Sequence, residues 1–403
     1  MQALRDLDLY DLPMESPPFA ADPYPFLAQA RQRHSWLARC NNGYCIIDYQ
    51  AMKDLMSMDN EMSPPFDTIV ALMGAEGTPW GRFTGEQMIA LPDKEHRLLR
   101  GTFVAKFTPR MADSMRGMMR EIMSKLLDQW TRRTTIDFEE FAAAYPVSVM
   151  ARTIGAPLEA IPGLRHSLEV LGLGMSLNKE LLSQLNDAIL HIESFCERLM
   201  EDRRAAPNRG EPDLLDILIE AGDGEGLSRR RLLDLLMFLF IAGYDTSKNV
   251  LTYMMFLMIG QPQIYERCAV DLDYCRKCVE EALRIFSPGL AFRRSRVDIS
   301  YRDVLLPKDT MLFVLLSVAG RDPAAFDNPD AFDPDRPIDP QRRHIAFGLG
   351  KHTCLGQHIA RVQLQEGIHL VAQRMRRPRM TGEPGHRPFY GVWGLKGLPI
   401  EFD

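Results

Sequence analysis

Apolar side chains recur three and four positions apart, with charges between them, in PRMADSMRGMMREIMSKLLDQWTRR (109–133) and in NDAILHIESFCERLMEDRRAA (186–206). That period gathers them on one face of an α-helix, so both segments are predicted to be amphipathic helices walling a core. YERCAVDLDYCRKCVEEALRIF (265–286) and QHIARVQLQEGIHLVAQRM (357–375) are predicted helical as well. A longer helix is predicted from about 229 to 260: it follows Ser228, a good N-cap, ends near Gly260-Gln261-Pro262 and would reach about 48 Å at 1.5 Å per residue. Strand-like runs are few, namely GYCIIDY (43–49), RSRVDISYRDVLLP (294–307) and MLFVLLSVAG (311–320). From 321 to 356 a proline- and aspartate-rich meander shows little period, and a connection of that length in a compact domain usually has a function. The expected fold class is mainly α with a small β portion, β-richer within about 35–65 and 290–320, and no repeat or linker divides residues 1–403, which are expected to form one domain.

Composition narrows the setting. The chain has 403 residues and a net charge of −6, so no basic excess points to nucleic acid. The N-terminus carries acids and prolines where a signal peptide would have a basic start and an apolar stretch. The most apolar run, LLDLLMFLFIAGYD (232–245), is broken by Asp234 and ended by Asp245, short of the roughly 18 apolar residues of a spanning helix. A cytoplasmic protein without a membrane anchor is expected. Seven scattered cysteines disfavour a disulfide framework. Cys275 and Cys278 form a Cys-x-x-Cys inside a helical run, with no second pair and no histidine at zinc-finger spacing, so a metal or redox role there is disfavoured.

Cys354 lies in HIAFGLGKHTCLGQH (344–358), with glycines six and four residues before it and two after. Such a loop can take positive φ angles and approach a flat partner closely. It runs into the predicted helix at 357, and a thiol just before a helix N-terminus is favoured as thiolate. The pattern Phe347-Gly348-x-Gly350-x-His352-x-Cys354-x-Gly356 resembles the heme-binding loop of the cytochrome P450 family. Three further stretches resemble family motifs in the same order along the chain: Ala242-Gly243-Tyr244-Asp245-Thr246-Ser247 is similar to the oxygen-binding segment of a long central helix, Glu281-Ala282-Leu283-Arg284 to its Glu-x-x-Arg, and Phe332-Asp333-Pro334-Asp335-Arg336 to its meander arginine.

The resemblance implies heme b with Cys354 as the axial iron ligand, Phe347, Gly348 and Gly356 shaping the loop, and His96, Arg100, Arg293 and His352 on the heme propionates. The residues make physical sense beside it. Glu281 and Arg284 are three apart on one helix face, and Arg336 is placed to close a charged cluster pinning the meander to that helix. Ala242 and Gly243 present almost no side chain, so a flat cofactor and a diatomic ligand can come near the helix backbone. Asp245 and Thr246 place a carboxylate and a hydroxyl beside that gap, and Thr246 can bond back to the carbonyl of residue 242, so the pair reads as proton delivery. Ser247 and Gly320 stand where threonine and asparagine are common in the family, and Ser295 where alanine is.

The implied reaction is insertion of one oxygen atom of O2 into a C–H bond of a small or medium apolar substrate. No ferredoxin-type cysteine spacing is present, so the resemblance implies a separate ferredoxin or flavodoxin with a reductase, docking on candidates Arg110, Lys351, His358 and Arg361. Candidate pocket walls are Phe238, Ala242, Leu290, Val392 and Trp393, with the stretches 63–83 and 168–182. Two alternatives stand beside this reading, a peroxide-driven peroxygenase and a heme-thiolate binding protein without turnover.

Overall fold

Ser228 caps the long helix, its Oγ accepting from the Arg231 amide at 3.2 Å, and the helix runs Arg229–Ile259. The structure is a computed structural model that describes residues 2–207, 210–224 and 227–403. Its chain divides into two units, each assembled from three stretches of sequence. The first comprises Met1–Pro65, Arg276–Cys354 and Pro384–Lys396; the second comprises Phe66–Cys275, Leu355–Glu383 and Gly397–Asp403.

In the second unit, the long helix packs against Phe138–Ile154, Ile161–Gly172 and Leu182–Ala205. It buries residues around most of its circumference, including Leu236, Leu251, Met254 and Met258, which explains its poor amphipathic period. Asp234, the charge interrupting the apolar run, is 2% exposed. Arg82 of the helix Pro79–Glu86 donates to both its oxygens at 3.1 Å, and Arg230 lies 3.1 Å away. Buried charge is tolerated when paired in this way.

Two helices run differently from the sequence expectation. The stretch 109–133 breaks at Met115 into Pro109–Ser114 and Arg116–Trp130. Beside the break, Ser114 Oγ donates to the Met111 carbonyl at 2.7 Å. The stretch 265–286 breaks at Asp271, whose backbone is extended and whose carboxylate accepts from the Tyr274 amide at 2.9 Å, capping Leu272–Ile285. Cys275 and Cys278 are buried. The Cys275 thiol donates to the Cys268 carbonyl at 3.3 Å, and Cys268 together with burial pushes it well above the ordinary range. Among the described residues no helix is long and apolar enough to cross a membrane.

The first unit holds a five-stranded sheet ordered Leu37–Cys40, Gly43–Ile46, Met311–Val314, Ala291–Ser295, Met62–Ser63. Gly43–Ile46 pairs in parallel with Met311–Val314, and the other pairs are antiparallel. The run 294–307 divides. Its start belongs to Ala291–Ser295, and the rest forms a hairpin, Ile299–Tyr301 with Val304–Leu306. Arg302 and Asp303 turn that hairpin at φ 44° and 66°, the left-handed pair that matches strand twist.

Candidate functional site

The loop bearing Cys354 is built within the first unit. Gly348 and Gly350 hold φ 69° and 73°, which a side chain rarely adopts. The Cys354 amide donates to the Phe347 carbonyl at 2.8 Å, and the Gly348 amide to Ile345 at 2.9 Å, so the loop folds back on itself. Asp59, a residue the sequence reading passed over, anchors it: its carboxylate accepts from the Lys351 amide at 2.8 Å, and its carbonyl from Lys351 Nζ at 2.9 Å. A Cβ at Gly350 would stand 2.7 Å from that carboxylate and would push it off the Lys351 amide. Of the seven cysteines, Cys354 is exposed and the other six are buried. His352 closes the short turn Gly350–His352, and Gly356 stands just before the helix Gln357–Arg374.

Arg293 decides whether these residues suit heme. It is 6% exposed on the strand Ala291–Ser295, donates to the Phe292 carbonyl at 2.9 Å, and makes no ion pair among the described residues. Burial pulls the guanidinium below its ordinary range, with Asp59 acting against it. A desolvated cation without a carboxylate partner suits an anionic ligand group such as a heme propionate. Together with an exposed thiol on a glycine loop, the residues fit heme b.

Glu281, Arg284 and Arg336 come together in the same unit. Arg284 donates to both Glu281 oxygens at 2.8 and 2.7 Å, and Arg336 Nε reaches Glu281 Oε1 at 3.2 Å. Arg284 also serves the carbonyls of Gly320, Pro329 and Ala331, and the Asp333 amide donates to Glu281. The meander is therefore tied to the helix end by one buried cluster. Gly320 explains itself here: a Cβ would stand 1.8 Å from the Arg284 carbonyl oxygen. Gly320→Ala is expected to cost about 1–3 kcal/mol through overpacking, read as a lowered melting temperature.

In the second unit, Asp245 is buried at 1% exposure and Thr246 Oγ1 donates to the Ala242 carbonyl at 3.2 Å. Ala242 is open, whereas a Cβ at Gly243 would meet Met150 Cε at 2.2 Å. Gly243 therefore makes room for the Met150 side chain of the helix Phe138–Ile154, and Ala242 supplies the open face. His96 is buried and Arg100 half-buried, one turn apart on Asp93–Phe103. Of the pocket candidates, Phe238 in this unit, and Leu290 and Val392 in the first, keep partly exposed surface. Trp393 is committed to the core, packed on Phe286 and Phe389 with its Nε1 donating to the Ala20 carbonyl at 2.8 Å. Of the docking candidates, Arg110 is exposed, Lys351 is engaged by Asp59, Arg361 bonds Gln357 at 3.1 Å, and burial with Arg361 holds the His358 ring below its ordinary range.

The family model described as Cytochrome P450 matches residues 173–377. The chain is 29% identical to luteothin monooxygenase of Streptomyces thioluteus over 400 residues, covering 98% of this chain and 96% of that protein. It is 28% identical to the biotin biosynthesis cytochrome P450 of Bacillus subtilis, covering 79% and 80%. Among solved structures, P450BioI in complex with hexadec-9Z-enoic acid ligated acyl carrier protein superposes with a TM-score of 0.87 at 25% identity, covering 96% of this chain and 100% of that one. Epothilone D-bound P450epoK, at 20% identity and a TM-score of 0.86, shares the fold. With its glycine-loop thiol, its buried Arg293 and its mainly helical architecture, the chain belongs to the cytochrome P450 family of heme b monooxygenases.

Proposed function

We propose that this chain inserts one oxygen atom of O2 into a C–H bond of a small or medium apolar substrate, releasing the other as water. Two electrons come from a separate ferredoxin or flavodoxin and its reductase. The observation that carries the reading is Cys354, the exposed thiol among six buried ones, set at the end of a loop held by Asp59. Cys354 would ligate the iron, Arg293, His96, Arg100 and His352 would hold the propionates, and residues 1–403 would act as one heme-thiolate domain in the cytoplasm. When bound, heme with a thiolate ligand supplies oxygen activation, the sulfur favouring O–O cleavage.

The protein's own residues supply the rest. Thr246 offers a hydroxyl whose bond to Ala242 can exchange for one to water, and Asp245 is the carboxylate one residue away that moves a proton to it. The partly exposed Phe238, Leu290 and Val392 offer apolar surface for binding substrate. Relatives named for biotin biosynthesis and luteothin, and a solved structure holding a fatty-acyl chain, support an extended apolar substrate in a biosynthetic reaction.

Asp245→Asn and Thr246→Ala are each expected to lower product formed per O2 consumed by about 10²-fold, the scale of one positioned proton donor, with substrate affinity little changed. A spectral titration with apolar compounds, including long-chain fatty acids, gives that affinity. The presence of both Asp245 and Thr246 favours the O2-driven reaction over a peroxygenase. Efficient turnover on hydrogen peroxide alone, unmatched by reduced carrier plus oxygen, would reverse that order.

A further inference from the structure

Lys248, one turn beyond Asp245 on the long helix, has no part in the chemistry above. It is 1% exposed, and its ammonium stands 3.0 Å from Asp245 Oδ1 and 2.8 Å from Glu139 Oε1. Glu139 comes from the first turn of Phe138–Ile154 and keeps partial exposure, so it is the end of the cluster that solvent reaches. Its other oxygen accepts from the Gly397 amide at 2.9 Å. On the inner side, Asn249 Nδ2 donates to the Asp245 carbonyl at 2.7 Å and to its carboxylate at 3.3 Å. Lys248 Nζ lies 5.6 Å from the centre of the Tyr244 ring, whose hydroxyl donates to Glu169, itself paired with Arg165. Burial first, then Glu169 and Asp245 beside it, keep the Tyr244 proton on.

One ammonium thus serves two carboxylates. A buried lysine persists when paired, and two carboxylates close together need a cation to remain charged together. We propose that Lys248 and Glu139 are positioning residues for Asp245: the shared ammonium fixes the Asp245 carboxylate, and Glu139, competing for the same charge, sets how readily Asp245 leaves it to move a proton. The inference rests on the reading of Asp245 and Thr246 as the proton-delivery pair. Its consequence is that Lys248 acts on turnover through Asp245 without touching substrate. The identity of the cation matters less than its charge, so arginine substitutes in part.

The test uses full-length, heme-loaded protein carrying Lys248→Met, Lys248→Arg, Glu139→Gln or Asp245→Asn. Two readouts are taken: steady-state kinetics with the solvent isotope effect, and the infrared carboxyl band of the resting protein with 13C-labelled aspartate. Lys248→Met is expected to lower kcat about tenfold, the scale of one coupled buried pair, with KM changed less than about twofold, a larger solvent isotope effect and a new protonated-carboxyl band that moves with the label. Lys248→Arg is expected to recover most of kcat. If Lys248→Met matches the parent in kcat, isotope effect and infrared band while Asp245→Asn is impaired, the inference fails and the proton-delivery reading stands. If Asp245→Asn itself turns over normally, that underlying reading fails. Should Lys248→Met not fold, Glu139→Gln decides: a changed isotope effect supports the inference, and an unchanged one overturns it.

Discussion

Replacing Arg284 with alanine is expected to cost about 3–5 kcal/mol of stability, the scale for removing one partner of a buried ion pair. Glu281 is 6% exposed, and it would keep Arg336 at 3.2 Å but lose its bidentate donor. The carbonyls of Gly320, Pro329 and Ala331 would lose a charged donor in the same step. The loss at buried Gly320 adds to the first, because a buried acceptor left unpaired carries its own desolvation cost, whereas Ala331 keeps Arg336 at 3.2 Å. Denaturant unfolding followed by circular dichroism checks this. A change below about 1 kcal/mol would show that the cluster does not hold the meander.

Replacing Cys354 with alanine is expected to have the opposite profile, abolishing turnover and thiolate ligation while sparing the fold. The side chain is exposed, and the bonds that shape the loop are made by backbone amides: Cys354 to Phe347, Gly348 to Ile345, and Lys351 to Asp59. None needs the sulfur. Heme-free parent and variant should therefore unfold within about 0.5 kcal/mol of each other, as exposed substitutions away from special features do. Thiolate ligation of the heme iron and monooxygenase activity should separate them completely. An active variant would place the iron ligand elsewhere.

The candidate residues could be picked out because such sites call for residue types at fixed spacing: glycines around Cys354, Arg284 three residues after Glu281, an acid and a hydroxyl side by side at Asp245 and Thr246. The long helix was legible through Ser228 and Gly260, which mark its ends locally. Partnerships across the chain were not. Asp59 lies almost three hundred residues from Lys351, and no period or spacing announces the bond between them. Gly243 reads as room for a cofactor until Met150 is seen filling that side, and Trp393 as a pocket wall until Ala20 takes its N–H. The breaks at Met115 and Asp271 escaped because the apolar period continues through them. Lys248 passed as one more helix residue, since Glu139 joins it and Asp245 only in the folded unit.

The account turns on one iron–sulfur bond from Cys354. X-ray absorption at the iron edge of the purified, heme-loaded protein reads it directly. One sulfur scatterer in the parent, absent from Cys354→Ala, is the predicted result. A sulfur shell that persists in the variant, or a parent with nitrogen and oxygen ligands alone, would contradict it.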